Sequence, residues 1–391
     1  MDFTGTRVLV MDGGYKQTQS IIRGLKEIGC HVTVLCESKL DGCYYSKFPD
    51  DKIVNNRLYE CNKDYYTEEE KLQYFLTLLS SGRFDVLMPM IDVSTDFVTK
   101  NAEQLGKYVK LACTPRKTYI KAYNKQITFD QAMKSGIPCP NTRRADQPIE
   151  DFLQSVSYPI IIKPREGKGS IGFHKFETEI AFRERLNDPS FNIDDYVLQE
   201  YVNFEHRVGI NVFIDQHGNM CSGYAVDVTR WFPIDAGSAV LLKTIDAPDL
   251  ISYAEKLLKD LKWQGFADLC FMIDKNTGQP RLLEINGRIP ASVKMGFVLG
   301  NNISQQMLEM VYDQKVVQRP VNDRFGIYLR HLDMDFAWFF KSPDRFRANP
   351  SWFSWKNTYE VLYSKDDKKP FFASFIERLS RYNKLMKKKK H

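Results

Sequence analysis

Across residues 1–115 the apolar positions switch between short runs and helical spacing. Arg7–Met11 is an apolar run that stops at Asp12, Gly13 and Gly14. Thr18–Ile28 then places Ile21, Ile22, Leu25 and Ile28 on one helix face and closes at Gly29. His31–Leu35 reads as a second strand, Glu68–Ser80 as a helix and Phe84–Pro89 as a later strand. Strands joined by helices of this length predict parallel pairing with right-handed crossovers. The Gly13–Gly14 turn lacks GxGxxG spacing, so it reads as a plain strand-to-helix turn rather than a phosphate cradle.

The pattern changes near Pro115. Helical spacing through Tyr123–Lys134 ends at Gly136, Ile137 and Pro138, a stop followed by an extended exit. Tyr158–Pro164 is a strand, the glycine-rich stretch Gly167–Gly172 a loop, and Thr178–Leu186 a helix leading to the strand Tyr196–Val202. Val208–Asp215, Gly265–Asp274 and Pro280–Asn286 are further strands, with hairpin turns at Gly218 and at Asn276–Gly278. Hairpins among helices make this region α+β, against the α/β character of the first. The last 80 or so residues are rich in aromatics (Phe336, Trp338, Phe339, Phe340, Trp352, Phe353, Trp355) and end in a candidate helix, Pro370–Lys390, with Phe372, Phe375, Ile376, Leu379, Tyr382 and Met386 on one side.

Composition narrows the function classes. The chain has 391 residues, enough for two or three domains, with 43% hydrophobic and 27% charged residues as in globular proteins. Its net charge of +6 includes Lys387–Lys390, and without those four lysines the remainder carries +2. A nucleic-acid footprint over the whole chain is therefore not expected. No apolar run approaches the ~20 residues of a membrane span, and the N-terminus lacks a signal-peptide layout. The eight cysteines form no CxxC pair and lie mostly in apolar segments, so free thiols in a cytoplasmic setting are expected.

Three segments carry candidate chemistry. Lys163 ends an apolar strand before the glycine-rich loop, where an ammonium and free backbone N–H groups can hold phosphates. The segment Gln199, Glu200, Tyr201 and Val202 borders a strand edge that can read an adenine amino group, and Glu205 can accept ribose hydroxyls. Period-2 alternation puts Glu284 and Asn286 on one face of a strand, with Arg288 just beyond. Two oxygen ligands on one face suit Mg²⁺, and Arg288 would neutralise a transferring phosphoryl group.

Taken in order along residues 5–315, these segments resemble the ATP-grasp superfamily. The matching features are a lysine-bearing helix ending in GIP-P (Lys125–Pro140), Lys163 with the loop holding Gly169 and Ser170, the hinge Gln199–Val202, Glu205, and the E-x-N-x-R strand. The stretch Arg230–Ser238 looks like the R-x-x-P…GGS loop of the carboxylate–amine ligase branch. The resemblance implies a Rossmann-like pre-ATP-grasp domain (residues 1–115) and a two-subdomain ATP-grasp fold (residues 116–315, lid about 125–202, sheet about 203–315). A small helical, aromatic extension with a basic tail follows (residues 316–391). Cys270 stands where the family has a second acidic or amide metal ligand, and Asp268, two residues earlier on the same face, is the expected substitute.

The activity implied is ATP-dependent joining of a carboxylate to an amine through an acylphosphate, with Mg²⁺ (or Mn²⁺) as cofactor. Lys125 and Lys163 would clamp phosphates, Glu284, Asn286 and Asp268 would hold metal, and Arg288 and Arg230 would stabilise developing charge. The alternatives are a bicarbonate-activating enzyme of the carboxylase or carbamoyl-phosphate type, and an ATP-binding module with weakened catalysis. The expected partners are small molecules, and the resemblance leaves room for a homodimer. The C-terminal basic helix is expected to dock on the nearby aromatic segment, with contact to an anionic membrane surface as the alternative.

Overall fold

The computed structural model describes residues 2–58, 64–167, 172–234, 237–319 and 321–376. The chain divides into two compact units. The first holds residues 1–113, 228–245 and 288–391, and the second 114–227 and 246–287.

The first unit opens with β1 (Arg7–Val10), α1 (Lys16–Glu27), β2 (His31–Cys36), β3 (Asp51–Val54), α2 (Glu68–Ser80), β4 (Val86–Met88), α3 (Asp92–Lys100) and β5 (Lys110–Leu111). The sheet order is β3-β2-β1-β4-β5, and every pairing is parallel. This is the expected Rossmann-like arrangement, with the chain order reversing at β1. Helices cover the sheet because its residues are apolar on both faces: Leu9, Leu35 and Leu87 pack with Phe75, Leu79 and Phe97. Each such aromatic or leucine side chain stabilises the fold by about 1.5–3 kcal/mol. At the end of β1, Asp12 adopts a positive φ of 64°. Its buried carboxylate accepts from the Met90 N–H (2.9 Å) and the Ser94 hydroxyl (2.5 Å). Gly13 follows because a Cβ there would stand 2.5 Å from Cys36 Sγ.

The second unit begins its ATP-grasp-like elements with α4 (Lys125–Lys134), capped by the Asn124 side chain, which accepts from the N–H groups of Gln126 and Ile127. It ends as expected at Gly136, whose positive φ of 66° lets Ile137 N–H return to the Ala132 carbonyl. Strands β6 (Ile160–Pro164), β7 (His174–Phe176) and β8 (Tyr196–Glu200) form an antiparallel sheet in the order β7-β6-β8. Helix α5 (Glu179–Leu186), capped by Thr178, accompanies it, and Phe152, Ile160, Ile162, Phe176, Phe182 and Leu198 form the core.

The chain continues through β9 (Phe204–Ile214) and β10 (Met220–Phe232), which ends in the first unit, and then β11 (Ser238–Ile245), also in the first unit. It returns with α6 (Pro248–Asp260), β12 (Gly265–Asp274) and β13 (Pro280–Asn286). Strand β12 lies between β9 and β13, antiparallel to both. The structure gives β9 an earlier start than sequence reading did, and adds β10 and β11, which had not been read as strands.

The last part of the first unit comprises α7 (Ile303–Val311), β14 (Tyr328–Arg330), α8 (Leu332–Lys341) and β15 (Thr358–Glu360). Strand β14 pairs antiparallel with β11 and parallel with β15. Helical backbone resumes over 369–376. Phe375 meets Phe336 at 6.4 Å between ring centres, as docking requires, but Phe372 and Ile376 are exposed. Leu379, Tyr382 and Met386 lie outside the described residues.

Candidate functional site

Strand pairing brings the acidic and amide candidates into rows. Asn286 on β13 stands opposite Asp268 on β12, and Glu284 stands opposite Cys270. The Asn286 amide donates to Asp268 Oδ2 at 3.2 Å. The register shifts just past this point, so that Glu284 pairs with Cys270 but Leu282 with Phe271, leaving Leu283 as an extra residue. Lys163, at the end of β6, donates to the Leu283 carbonyl at 3.2 Å. The bulge thus supplies the oxygen that holds the lysine near Glu284.

Burial pushes the Lys163 ammonium down to about 7, with Glu284 pulling it up and Lys125 pushing it further down. Its charged end also lies 4.3 Å from the centre of the Phe129 ring. Lys125, the first residue of α4, donates to the Gly167 carbonyl at 3.1 Å. Lys125 therefore reaches the start of the glycine-rich loop, close enough to Lys163 to depress its ammonium. Gly169 and Ser170 lie outside the described residues.

At the strand edge, Gln199 is fully buried. Its amide nitrogen donates to Thr142 Oγ1 at 2.6 Å, and its Oε1 has no hydrogen-bond partner. Glu200 is committed to its neighbour: its N–H donates to the Asn141 carbonyl, and its carboxylate accepts from the Asn141 N–H at 2.8 Å. The Tyr201 N–H donates to the Pro159 carbonyl, and its ring takes the Lys175 ammonium at 3.9 Å. Val202 is buried, and Glu205 is exposed on β9.

Burial, with Glu284 and Asp268 beside it, holds the Cys270 thiol far above its ordinary range, so it is a neutral side chain. Arg288 donates to Asp92 Oδ2 at 3.3 Å, both residues lying in the first unit.

Arg230 departs most from expectation. It is 5% exposed and holds Asp335 by two bonds, Nε to Oδ1 at 3.0 Å and Nη2 to Oδ2 at 2.9 Å, while Nη1 donates to the Pro350 carbonyl. A guanidinium bound on three sides in the interior is placed to hold this unit together rather than to meet a developing oxyanion.

Sequence reading missed Asn211. It stands on β9 opposite Asp268, completing the row Asn211–Asp268–Asn286, is 1% exposed, and neither amide atom has a partner. The signal was a single polar residue inside the apolar run Val208–Ile214, but the pairing that gives it meaning is not in the local sequence. Beside it, Gly209 stands opposite Cys270. A Cβ on Gly209 would lie 3.1 Å from Val226 Cγ2 and 3.7 Å from both Asn211 Nδ2 and Asp268 Oδ1, so the glycine lets the strand pack closely beside these groups. An orphaned amide and carboxyl oxygens on one face fit a hard cation such as Mg²⁺.

The first unit has its own cavity at the end of β1, of about 580 Å³, lined among others by Gly13, Gly14, Lys16, Ser238, His331 and Asp333. Lys16 donates to Asp333 Oδ1 at 2.8 Å there.

A family model described as an ATP-grasp domain matches residues 122–292. This stretch is an ATP-grasp domain. The alpha subunit of the mitochondrial methylcrotonoyl-CoA carboxylase of rice is 21% identical over 202 residues, 47% of this chain and 25% of that protein. The chain thus spans a quarter of that relative's length. The biotin carboxylase domain of the Hydrogenobacter thermophilus 2-oxoglutarate carboxylase, solved with MgADP and bicarbonate, superposes with a TM-score of 0.66 at 17% identity. It covers 83% of this chain and 73% of that one. The L-amino acid ligase of Bacillus licheniformis gives a TM-score of 0.58 at 17% identity, covering 79% and 74%. The fold shared with these enzymes therefore extends beyond the matched domain.

Cys270 beside Asp268 yields a prediction. Asp268→Asn is expected to weaken Mn²⁺ binding, read by paramagnetic resonance, by about tenfold or more, and Cys270→Glu to strengthen it. Unchanged Mn²⁺ affinity in both variants would remove Asp268 from the metal site.

Proposed function

We propose that this chain is an ATP-dependent ligase that joins a carboxylate to an amine, and the observation that carries it is the convergence of Lys163 on Glu284 and the bulged strand. In this reading the phosphates of ATP lie along Lys125, Lys163 and the glycine-rich loop. Gln199 supplies its unpartnered oxygen to the adenine amino group, and Glu205 receives the ribose hydroxyls. Glu284 and Asn286, with Asp268 and Asn211 abreast, would hold Mg²⁺, which supplies charge neutralisation for phosphoryl transfer. The substrate carboxylate attacks the γ-phosphorus to give an acylphosphate and ADP, and the amine then displaces phosphate. Lys163 offsets the charge at the transferring group. Arg230 acts from outside the chemistry, by holding Asp335 and the Pro350 carbonyl.

Similarity to carboxylases supports a second reading, in which bicarbonate is the carboxylate and carboxyphosphate the first product. Phosphate release from ATP in the presence of carboxylate–amine pairs, against bicarbonate alone, separates the two. ATP binding with no product in either case would leave the weakened-module reading. The seven described cysteines are free, which supports our assignment to a reducing, cytoplasmic setting. A homodimer is the assembly we propose.

Lys163 provides the direct test of the nucleotide site. Lys163→Ala is expected to raise KM for ATP and lower kcat, together by about tenfold to a hundredfold, the worth of one charge-assisted hydrogen bond. The pH dependence has a defined sign. The ammonium is charged below about 7 and neutral above, and phosphate binds the charged form. ATP affinity, measured by calorimetry, should therefore fall as pH rises from about 7 to about 9, and the dependence should flatten in Lys163→Arg. Unaltered ATP kinetics in Lys163→Ala would make this lysine a structural charge.

A further inference from the structure

Phe339 on α8 lies at the centre of an aromatic cluster whose outer members face solvent. Its ring centre is 5.8 Å from Phe340, 5.5 Å from Phe346, 5.8 Å from Phe353 and 4.5 Å from Trp352. Phe340, Phe346 and Phe353 are 72%, 74% and 62% exposed. Three large apolar side chains held together in water are a standing cost, and contiguous patches of this kind mark contact surfaces. Their setting is basic. Across residues 341–357 the charged side chains are Lys341, Arg345, Arg347 and Lys356 against the single acid Asp344. Lys341, Arg347 and Lys356 are exposed, and the Arg345 guanidinium sits over the Phe346 ring at 5.3 Å.

The end of the described chain adjoins this patch. Phe375 touches Phe336, which in turn touches Trp352 at 5.2 Å, and Ile376 is the last described residue. The remaining fifteen residues contain Arg378, Arg381, Lys384 and Lys387–Lys390 against one acid, Glu377. Exposed phenylalanines, a basic rim and a polybasic segment leaving from the same place share one complementary partner: a surface with an apolar interior and an anionic face.

We propose that this face of the C-terminal extension binds an anionic lipid bilayer, inserting Phe340, Phe346 and Phe353 to the acyl boundary while Lys341, Arg347, Lys356 and the tail lie at the headgroups. The protein would be held at the membrane surface and not through it: among the described residues no helix is long and apolar enough to cross a membrane. Apolar insertion and polybasic attraction are the two signals that stable peripheral binding requires. Aromatics of the same segment do different work where they meet an arginine: Trp338 lies against Arg230, and Trp352 and the half-exposed Trp355 lie against Arg330.

The test uses the full chain with vesicles of phosphatidylcholine alone and with about 30 mol% phosphatidylserine. The wild-type protein is expected to sediment with the anionic vesicles and at least about tenfold less with neutral ones. The triple variant Phe340→Ser, Phe346→Ser, Phe353→Ser should lower binding to anionic vesicles by at least about tenfold, while its thermal midpoint stays near wild type because the replaced rings are exposed. Replacing Lys387–Lys390 by glutamine should weaken binding and flatten its salt dependence. Equal, negligible sedimentation of all forms overturns the proposal. So does a wild-type dimer, seen by light scattering, that the triple variant turns into a monomer with no vesicle binding by either, which would assign the patch to a second copy of the chain.

Discussion

Asp335→Ala is expected to destabilise the protein by about 3–5 kcal/mol, read as a shift in urea midpoint with an unchanged slope. The carboxylate is fully buried and serves two arginines: two bonds from Arg230, and one from Arg330 Nε at 2.5 Å. Burial pushes its carboxyl up while both guanidiniums pull it down. Two cations on one anion leave an excess of positive charge in the interior, and the aromatic rings take part of it. Arg330 lies 4.5 Å from Trp352 and 4.7 Å from Trp355, and Arg230 lies 4.9 Å from Trp338. The remaining Arg330 nitrogens, Nη1 and Nη2, have no hydrogen-bond partner, so those faces are what they have. Removing the carboxylate leaves two buried guanidiniums with no counter-ion. Arg330→Met should cost less, since Asp335 keeps its two-point pairing with Arg230 and the methionine fills the apolar space. A loss for Asp335→Ala no larger than for Arg330→Met would mean that the triad contributes packing alone.

Glu284→Ala is expected to reduce Mg²⁺-dependent ADP formation by at least about a hundredfold with the fold intact, and Asn286→Ala to follow it. Both side chains are half-buried on a strand whose intervening residue, Ile285, is the buried one, so neither replacement opens a cavity in the core. Glu284 also faces Lys163, so its loss removes the group that draws the ammonium pKa upward. The fall in ATP affinity with rising pH should therefore begin at lower pH in the variant than in the wild type, because Lys163 loses its proton earlier without Glu284. Near-normal turnover in either variant, with unchanged Mn²⁺ affinity, would withdraw the metal assignment.

Elements bounded by strong punctuation were legible in the chain itself. Strands Gly265–Asp274 and Pro280–Asn286 were read to their observed ends because Asn276–Gly278 marks the turn between them, and Glu68–Ser80 likewise, because its N-cap Thr67 and Glu70 form a capping box. Strand Asp51–Val54 was missed: it lies at the edge of its sheet, and its short, mostly exposed sequence carries no alternation. Strands β10 and β11 were missed for another reason. Arg230 and Trp231 near the end of β10 look like loop residues until Asp335, more than a hundred positions later, supplies the partner that makes a buried arginine tolerable.

The same division holds for the site. Local sequence determined that Glu284 and Asn286 share a face, because alternation along a strand is a property of the backbone. It also determined that Lys163 ends a strand before a flexible turn. Tertiary structure decided which residues stand beside them. The register of β9 against β12 put Asn211 next to Asp268, the bulge at Leu283 put a carbonyl under Lys163, and burial lowered that lysine's pKa. Strand register and desolvation depend on residues brought together from distant positions, so no window of the sequence contains them. The buried Arg230–Asp335–Arg330 triad is the clearest instance: a motif position that reads as catalytic becomes structural once the fold encloses it and gives it a counter-ion.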